Sequence, residues 1–355
     1  MAVSKRVLIV DDSAVVRKLI ADRLRQEPGI EVVGGAADPF VARDLILQYK
    51  PDVVTLDIEM PRMDGLTFLK KLMAHYPLPV IIVSSVTQSG SASSIEALRS
   101  GALEVICKPG GPHSVGQVVD RIAATIRGMS ASSGVRVRPA PVAAAPVPPA
   151  PTRAASAKRR NGIILIGAST GGTQAIESVL TRMPADTPPI LIVQHMPASF
   201  TRAFAERLDQ LCHLKVVEAR AEQQVERGTA YIAPGDYHMT LVRFGLQMRI
   251  SLNQDPQVHH QRPAVDVLFQ SAAQIRGVPM AAMLLTGMGA DGADGMVALR
   301  KAGAETIAED EQSCVVFGMP REAIARGGAM HVATLLNIPP LVFECLDRAA
   351  ARQAA

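Results

Sequence analysis

Short aliphatic runs alternate with amphipathic stretches along residues 5–127. The runs predict buried parallel strands at Val7–Val10, Glu31–Gly35, Val53–Leu56, Val80–Val83 and Glu104–Cys107. Stretches whose apolar residues have a helical spacing lie between them, at Ser13–Gln26, Pro39–Tyr49, Leu66–His75 and Ser93–Ser100. Five strand–helix units in succession are typical of α/β domains, so residues 1–127 are predicted to form a doubly wound, five-stranded parallel sheet.

Residues 161–348 carry a second α/β pattern. Strands are predicted at Gly162–Gly167, Ile190–Gln194 and Met280–Thr286. Three further runs suggest antiparallel hairpins, namely Tyr231–Ala233 with Leu241–Arg243 and Gln247–Leu252. We therefore expect a second α/β domain, followed by a short tail at residues 349–355.

The segment between these two patterns, residues 128–160, differs from both in composition. Its prolines lie among Ala, Ser and Arg residues, at Pro139, Pro141, Pro146, Pro148, Pro149 and Pro151. No periodic apolar face exists, so the segment cannot bury enough apolar surface to fold. We predict a flexible, extended and semi-stiff tether. A plain spacer is the favoured interpretation, and a docking site is the alternative.

The net charge of +4 is concentrated in this tether. It contains six basic residues and no acid, so the rest of the chain is slightly acidic. The charge is therefore weak evidence for nucleic-acid binding, and we expect no nucleic-acid partner.

Cysteine spacing and hydropathy indicate the compartment. The four cysteines are far apart and form no CxxC pair, which favours free thiols in a reducing environment. No apolar run approaches the roughly 18 residues that a membrane helix needs. The first residues lead directly into a strand and leave no room for a signal peptide. We expect a cytoplasmic protein with no membrane insertion.

Polar side chains follow the strands of the first domain. Asp11 and Asp12 follow the first strand, Asp57 the third, Ser84 the fourth and Lys108 the fifth. The carboxyl ends of parallel strands meet at one sheet edge, so these groups should converge. Mg²⁺ would relieve the repulsion between the carboxylates, and one of them could then attack phosphorus. For any single Asp, a helix cap is the alternative interpretation.

Four stretches of this domain closely resemble a response-regulator receiver. They are Leu8–Ser13, Asp57–Pro61 with Asp64–Gly65, Val83–Ser85 and Cys107–Pro109. The resemblance covers residues 5–127 and implies a flavodoxin-like fold.

The receiver resemblance also implies roles for single residues. Asp57 would be phosphorylated by a sensor histidine kinase, with Mg²⁺ held by Asp11, Asp12 and Asp57. Ser84 would be the hydroxyl switch, and Lys108 the partner of the phosphoryl group.

The second domain begins with a strand that leads into a Gly-rich turn. Gly167–Gly171 fits the pattern G-x-S-x-G, which exposes a serine, here Ser169, where a strand turns into a helix. A phosphate-binding loop is the rival interpretation. It fails because Ser169 occupies the second glycine position of G-x-G-x-x-G, and because no P-loop lysine follows.

A nucleophilic serine needs a base and an acid that orients the base. His195 follows the next predicted strand, and Asp291 lies in a Gly-rich turn after Met280–Thr286. Either residue alone could be structural, His195 as a core histidine and Asp291 as a turn or cap residue. The remaining candidate histidines lack comparable strand-end placement; they are His213, His259, His260 and His331. The order Ser, His, Asp differs from that of the α/β-hydrolase fold.

Five stretches of the second domain resemble the catalytic domain of the chemotaxis protein-glutamate methylesterase (CheB) family. They are Gly167–Gly172, Gln194–Met196, Ala233–His238, Arg262–Phe269 and Thr286–Gly292. The resemblance spans residues 161–348, and the order of receiver, linker and esterase matches too. It implies a mostly parallel, doubly wound sheet.

The esterase resemblance implies the triad Ser169, His195 and Asp291. The backbone N–H of Met288 would be an oxyanion-hole donor. The substrates would be glutamyl methyl esters and certain glutamines of methyl-accepting chemoreceptors, and the ester chemistry would need no cofactor.

Three other classes of protein fit parts of the pattern. A receiver-linked DNA-binding regulator would need a basic helix-turn-helix, whereas the second half has strands and Gly-rich turns. A catalytically silent scaffold is disfavoured because Ser169, His195 and Asp291 are all present. A nucleotide-binding domain is disfavoured because the phosphate-loop pattern is missing.

Overall fold

The computed structural model describes residues 4–84, 88–108, 115–129 and 161–354. The chain divides into two compact units, residues 1–144 and 145–355. Most of the predicted tether, residues 130–160, lies outside the described residues. Its first two residues belong to the first unit, where Gly128 ends a helix and Met129 is buried.

The first unit alternates strands and helices throughout. Its elements are β1 (Lys5–Val10), α1 (Ala14–Leu24), β2 (Ile30–Ala36), α2 (Pro39–Tyr49), β3 (Val53–Leu56), α3 (Gly65–His75), β4 (Val80–Ser84), α4 (Gln88–Arg99), β5 (Glu104–Cys107) and α5 (Val115–Gly128). The strands form one parallel sheet in the order β2-β1-β3-β4-β5. This is the predicted five-stranded doubly wound sheet, and α4 begins five residues earlier than the pattern indicated.

Side-chain caps begin the first three helices of this unit. Ser13 caps α1 by accepting a hydrogen bond from the Val16 N–H, and Asp38 and Asp64 cap α2 and α3. At Gly65 a Cβ atom would lie 2.0 Å from the backbone oxygen of Asp57. Only glycine therefore lets α3 begin so close to the end of β3.

The second unit is larger. Its elements are β6 (Ile163–Ala168), α6 (Gly172–Leu180), β7 (Ile190–Gln194), α7 (Ala198–Leu211), β8 (Lys215–Glu218), β9 (Thr229–Ile232), β10 (His238–Phe244), β11 (Gln247–Asn253), α8 (Val265–Ala273), β12 (Met280–Leu284), α9 (Ala293–Lys301), β13 (Glu305–Glu309), α10 (Met319–Ala325), β14 (His331–Ala333) and α11 (Ile338–Ala354). Seven of its strands form a parallel sheet in the order β14-β13-β12-β6-β7-β9-β8.

Two predictions for this unit are corrected. Tyr231–Ala233 does not enter a hairpin, because β9 pairs in parallel with both β7 and β8. All four residues of β9 are buried, which is typical of a strand inside a parallel sheet. Among the strands of the described residues, β10 and β11 are the one pair that runs antiparallel. The tail predicted at 349–355 is not separate, since α11 continues to Ala354.

Alternation along each central strand produces two cores, one on each side of the seven-stranded sheet. In β6, Ile164 and Ile166 pack with side chains of α6, α7 and α11. Ile163 and Leu165 pack on the opposite side with those of α8, α9 and α10. Helices therefore cover both faces, as in other doubly wound folds.

The two edges of this sheet are short. Strand β14 has three residues and strand β8 has four. In β8 the Val216 N–H donates a 2.8 Å hydrogen bond to Asp209 in α7. Within the ranges given above, none of the helices combines the length and the apolar character that crossing a lipid bilayer requires.

Phe269→Ala should test the core of the second unit. Phe269 is fully buried in α8, so its removal should lower the free energy of unfolding by about 3–5 kcal/mol. Phe244 at the end of β10 is 63% exposed and stacks on Arg249, so Phe244→Ala should cost less than about 1 kcal/mol. Urea unfolding of the full chain measures both, and equal losses would contradict the described burial.

Candidate active sites

The turn after β6 presents Ser169 at the carboxyl edge of the seven-stranded sheet. Gly171 has a φ of +77°, and α6 begins at Gly172. A Cβ atom would lie 2.7 Å from the Val315 side chain at Gly171 and 2.1 Å from Gln194 Oε1 at Gly172. The last two glycines of the G-x-S-x-G-G stretch are therefore required by this tight strand-to-helix turn.

Neighbouring strand ends hold the turn in place. The Ser169 N–H donates a 3.0 Å hydrogen bond to the backbone oxygen of Thr286, beyond β12. The amide of Gln194, at the end of β7, donates to the backbone oxygens of Ser169 at 2.8 Å and His195 at 3.1 Å. One buried amide thus ties the nucleophile turn to the residue predicted as its base.

His195 and Asp291 are in direct contact. His195 Nε2 lies 2.7 Å from Asp291 Oδ2, and both side chains are buried. Asp291 also accepts hydrogen bonds from the N–H groups of Val265 at 2.7 Å and Asp266 at 2.8 Å. Because Nε2 faces Asp291, Nδ1 is the nitrogen left for Ser169. In the described part of the chain, no hydrogen bond joins Ser169 Oγ to His195.

The environment of Asp291 favours its ionised form. Burial alone would raise the pKa of Asp291, but the hydrogen bond and charge of His195, together with the N–H groups of Asp266 and Val265, outweigh it and lower that pKa. The contribution of the Asp291 carboxylate to the stability of the fold is therefore present above the ordinary aspartate pKa. It is lost as the pH falls through the lowered pKa of Asp291. A carboxylate at neutral pH can support a positively charged His195.

Met288 lies beside the nucleophile turn. A Cβ atom on the preceding Gly287 would be 2.8 Å from Ser169 Cβ, so the backbone packs directly against the serine. Among the described residues, the Met288 N–H donates no hydrogen bond to the protein. An unused donor near Ser169 is the arrangement that an oxyanion site needs.

The polar groups of the first unit also meet at one sheet edge. Lys108 Nζ lies 2.8 Å from Asp11 Oδ2 and 2.7 Å from Asp57 Oδ2. Asp12 is exposed beside them, and Ser84 is buried at the end of β4. Within the described ranges, the Ser84 hydroxyl has no hydrogen-bond partner.

The carboxylates of this edge fit a divalent cation. One oxygen each from Asp11, Asp12 and Asp57 lies within 4.8 Å of the others. Burial raises the pKa of Asp57, Lys108 opposes the shift, and Asp11 adds to it. A hard cation would relieve this accumulation of negative charge, and receiver domains in general use Mg²⁺ for phosphorylation.

Comparison with known proteins identifies both domains. The model of the CheB methylesterase family matches residues 164–342, and that of the response regulator receiver domain matches residues 7–120. A relative from Syntrophus aciditrophicus is 53% identical over 334 residues, which cover 94% of this chain and 96% of the relative. The chain belongs to the CheB methylesterase family. The relative is named protein-glutamate methylesterase/protein-glutamine glutaminase 2.

Other CheB family members support the assignment. A relative with the same name from Cupriavidus pinatubonensis is 49% identical and covers 96% of each chain. The solved CheB methylesterase catalytic domain of Thermotoga maritima is 39% identical, with a TM-score of 0.51. That structure is matched over 98% of its length and 52% of this chain.

Sequence reasoning placed the main chemical groups of this CheB family member but missed two supports. The sequence patterns predicted no role for the Gln194 amide. They also predicted none for Thr286, whose backbone oxygen accepts the hydrogen bond from the Ser169 N–H. The sequence did contain a signal for Gln194, because it is a polar residue at the end of an otherwise apolar, buried strand. The sequence contained no signal for the contact of Thr286 with Ser169, since that contact is made through the backbone.

Gln194→Leu should loosen this turn. The substitution removes both amide donors and leaves the buried backbone oxygens of Ser169 and His195 without them. We expect the free energy of unfolding to fall by about 1–3 kcal/mol. Gln210→Leu, at an exposed position of α7 outside the site, is the matched control and should change it by less than about 0.5 kcal/mol. Urea unfolding measures both, and an unchanged midpoint for Gln194→Leu would refute the role of the amide.

Proposed function

We propose that this protein hydrolyses glutamyl methyl esters on methyl-accepting chemoreceptors and deamidates certain glutamines there, under control of phosphorylation. The observation that carries the proposal is the 2.7 Å contact of His195 with Asp291, at the sheet edge where the Ser169 turn lies. The names of its relatives supply the substrate class. Sensory adaptation is the process that this activity serves.

The catalytic steps follow from the orientation of His195. Its Nδ1 takes the proton of Ser169 Oγ, which attacks the ester carbonyl carbon. Asp291 fixes the imidazole tautomer and stabilises its charged form, while the Met288 N–H donates to the developing oxyanion. Methanol leaves with the proton from His195, and water then hydrolyses the acyl-enzyme. With glutamine the leaving group is ammonia. Every group used belongs to the chain, so these steps need no cofactor.

Regulation is assigned to the first unit. Asp57 accepts a phosphoryl group from a sensor histidine kinase. Asp11, Asp12 and Asp57 would hold Mg²⁺, which would supply positive charge to the phosphoryl oxygens. Lys108 pairs with the phosphoryl oxygens. The unpartnered hydroxyl of Ser84 turns toward them, and the receiver surface changes with it.

Ser169→Ala should abolish methanol release from methylated receptor membranes. Loss of the nucleophile costs on the order of 10⁶ in turnover in other serine hydrolases, and loss of the orienting acid about 10⁴. Asp291→Asn should therefore retain more activity than Ser169→Ala. Ser178→Ala, on α6 away from the turn, should behave like the wild type. Near-normal release by Ser169→Ala would show that the nucleophile lies elsewhere.

Asp57→Asn should prevent both labelling and activation by a small-molecule phosphodonor. Borohydride trapping and mass spectrometry should place the label of the wild type on Asp57, and EDTA should prevent it. Methanol release should rise with phosphodonor in the wild type and not in Asp57→Asn. Asp44→Asn, at an exposed aspartate of α2, is the control and should label normally. Label on another residue would contradict the assignment.

A further inference from the structure

Glu309 at the end of β13 is a buried acid that the mechanism above does not use. Its side chain is completely buried, and none of the ion pairs among the described residues includes it. Oε2 accepts a 2.8 Å hydrogen bond from the Thr286 N–H, and Oε1 has no partner in the described part of the chain. Burying a carboxyl group without a cation is costly, so its presence here needs a reason.

The residue that Glu309 holds is the one that fixes the nucleophile turn. The backbone oxygen of Thr286 accepts the Ser169 N–H at 3.0 Å. The Thr286 hydroxyl donates to the backbone oxygen of Thr170 at 3.0 Å and accepts from the Val316 N–H at 2.9 Å. Thr286 therefore holds both residues of the turn, and Gly287 and Met288 follow it directly.

The same strand offers an internal comparison. Glu305 begins β13 and is also buried, but it pairs with His331, Arg348 and Arg352. Glu305 thus has the cationic partners expected of a structural acid, at the end of the strand opposite the catalytic edge. Among the described residues Glu309 lacks them, and it instead accepts a hydrogen bond from the Thr286 N–H, whose residue in turn accepts the Ser169 N–H.

We propose that Glu309 is a positioning residue for ester hydrolysis. Its carboxyl group fixes the Thr286 peptide, which keeps Ser169 aligned with His195 and with the Met288 N–H. The inference rests on the proposed role of Ser169 as nucleophile. Because only an acceptor oxygen is required, a glutamine at this position should serve as well as the acid.

The surroundings of Glu309 make the stability of the protein depend on pH, which can be measured independently of the activity. Burial raises the pKa of Glu309 to about 7, against the opposing effect of the Thr286 N–H and the nearby Ser313 and Cys314 side chains and with a contribution from Asp310. Burial likewise raises the pKa of the facing Cys314 thiol, with Glu309 adding to the shift. The contribution of the Glu309 carboxyl group to the stability of the fold is therefore complete below the ordinary glutamate pKa. It is lost as the pH rises through about 7.

The test compares Glu309→Gln with Glu309→Met in the full-length protein. Both substitutions nearly conserve volume, but only Gln keeps an acceptor for the Thr286 N–H. With a small methyl ester, Glu309→Met should lower kcat by on the order of 10–100-fold, with KM within about twofold, because a slight misplacement of Ser169 slows attack. Glu309→Gln should stay within about threefold of wild type. Glu305→Met is the matched control and should keep kcat at temperatures where it is folded.

Two further measurements separate positioning from folding. The labelling rate of Ser169 by a serine-directed fluorophosphonate should fall with kcat in Glu309→Met and not in Glu305→Met. The loss of thermal stability between about pH 4.5 and 7 should be smaller in Glu309→Gln than in wild type, since that side chain does not ionise.

Several outcomes would overturn the inference. Wild-type kcat in a folded Glu309→Met would do so, and so would equal losses in Glu309→Met and Glu305→Met. Should Glu309→Met not fold, Thr286→Val removes the hydroxyl contacts with Thr170 and Val316 within the same support, and its full activity would count against the proposal. An error in the nucleophile assignment would show itself separately, as activity in Ser169→Ala with unchanged effects at Glu309.

Discussion

The contact between His195 and Asp291 joins two buried groups that are 96 residues apart in the chain. Neither group could be buried alone without a large desolvation cost, so each depends on the other. The two N–H groups that reach Asp291 belong to the start of α8, which packs behind the sheet edge. This one pair therefore depends on the position of that helix, on the order of the strands and on the glycines of the turn.

The first unit stabilises its buried carboxylates in a different way. There the buried carboxylates face an ammonium group of the same chain, since Lys108 touches both Asp11 and Asp57. In the second unit, backbone N–H groups and an imidazole stabilise the acid. A lysine can release its partner when a more highly charged phosphoryl group arrives. Fixed backbone donors cannot move in this way, which suits a site that must keep one geometry through many turnovers.

Much of this arrangement was predictable because parallel strands have readable patterns. The apolar runs located β3, β5 and β7 to the residue, and the rule that strand ends converge brought Ser169, His195 and Asp291 to one edge. The supports of that edge were not predictable. The contact of Thr286 with Ser169 and that of Val265 with Asp291 run through the backbone atoms of Thr286 and Val265, which leave no trace in residue type. The error at β9 has a related cause, because a short apolar run looks the same in a hairpin as in a parallel sheet.

The short strands at the two edges of the seven-stranded sheet decide how the unit meets other proteins. An open edge with free N–H and C=O groups invites strand addition and aggregation. Strand β14 is too brief to offer a long template, and in β8 one outward N–H is already donated to Asp209. The sheet therefore ends within its own molecule. Both edges of this sheet thus offer little backbone to which a strand of another molecule could pair.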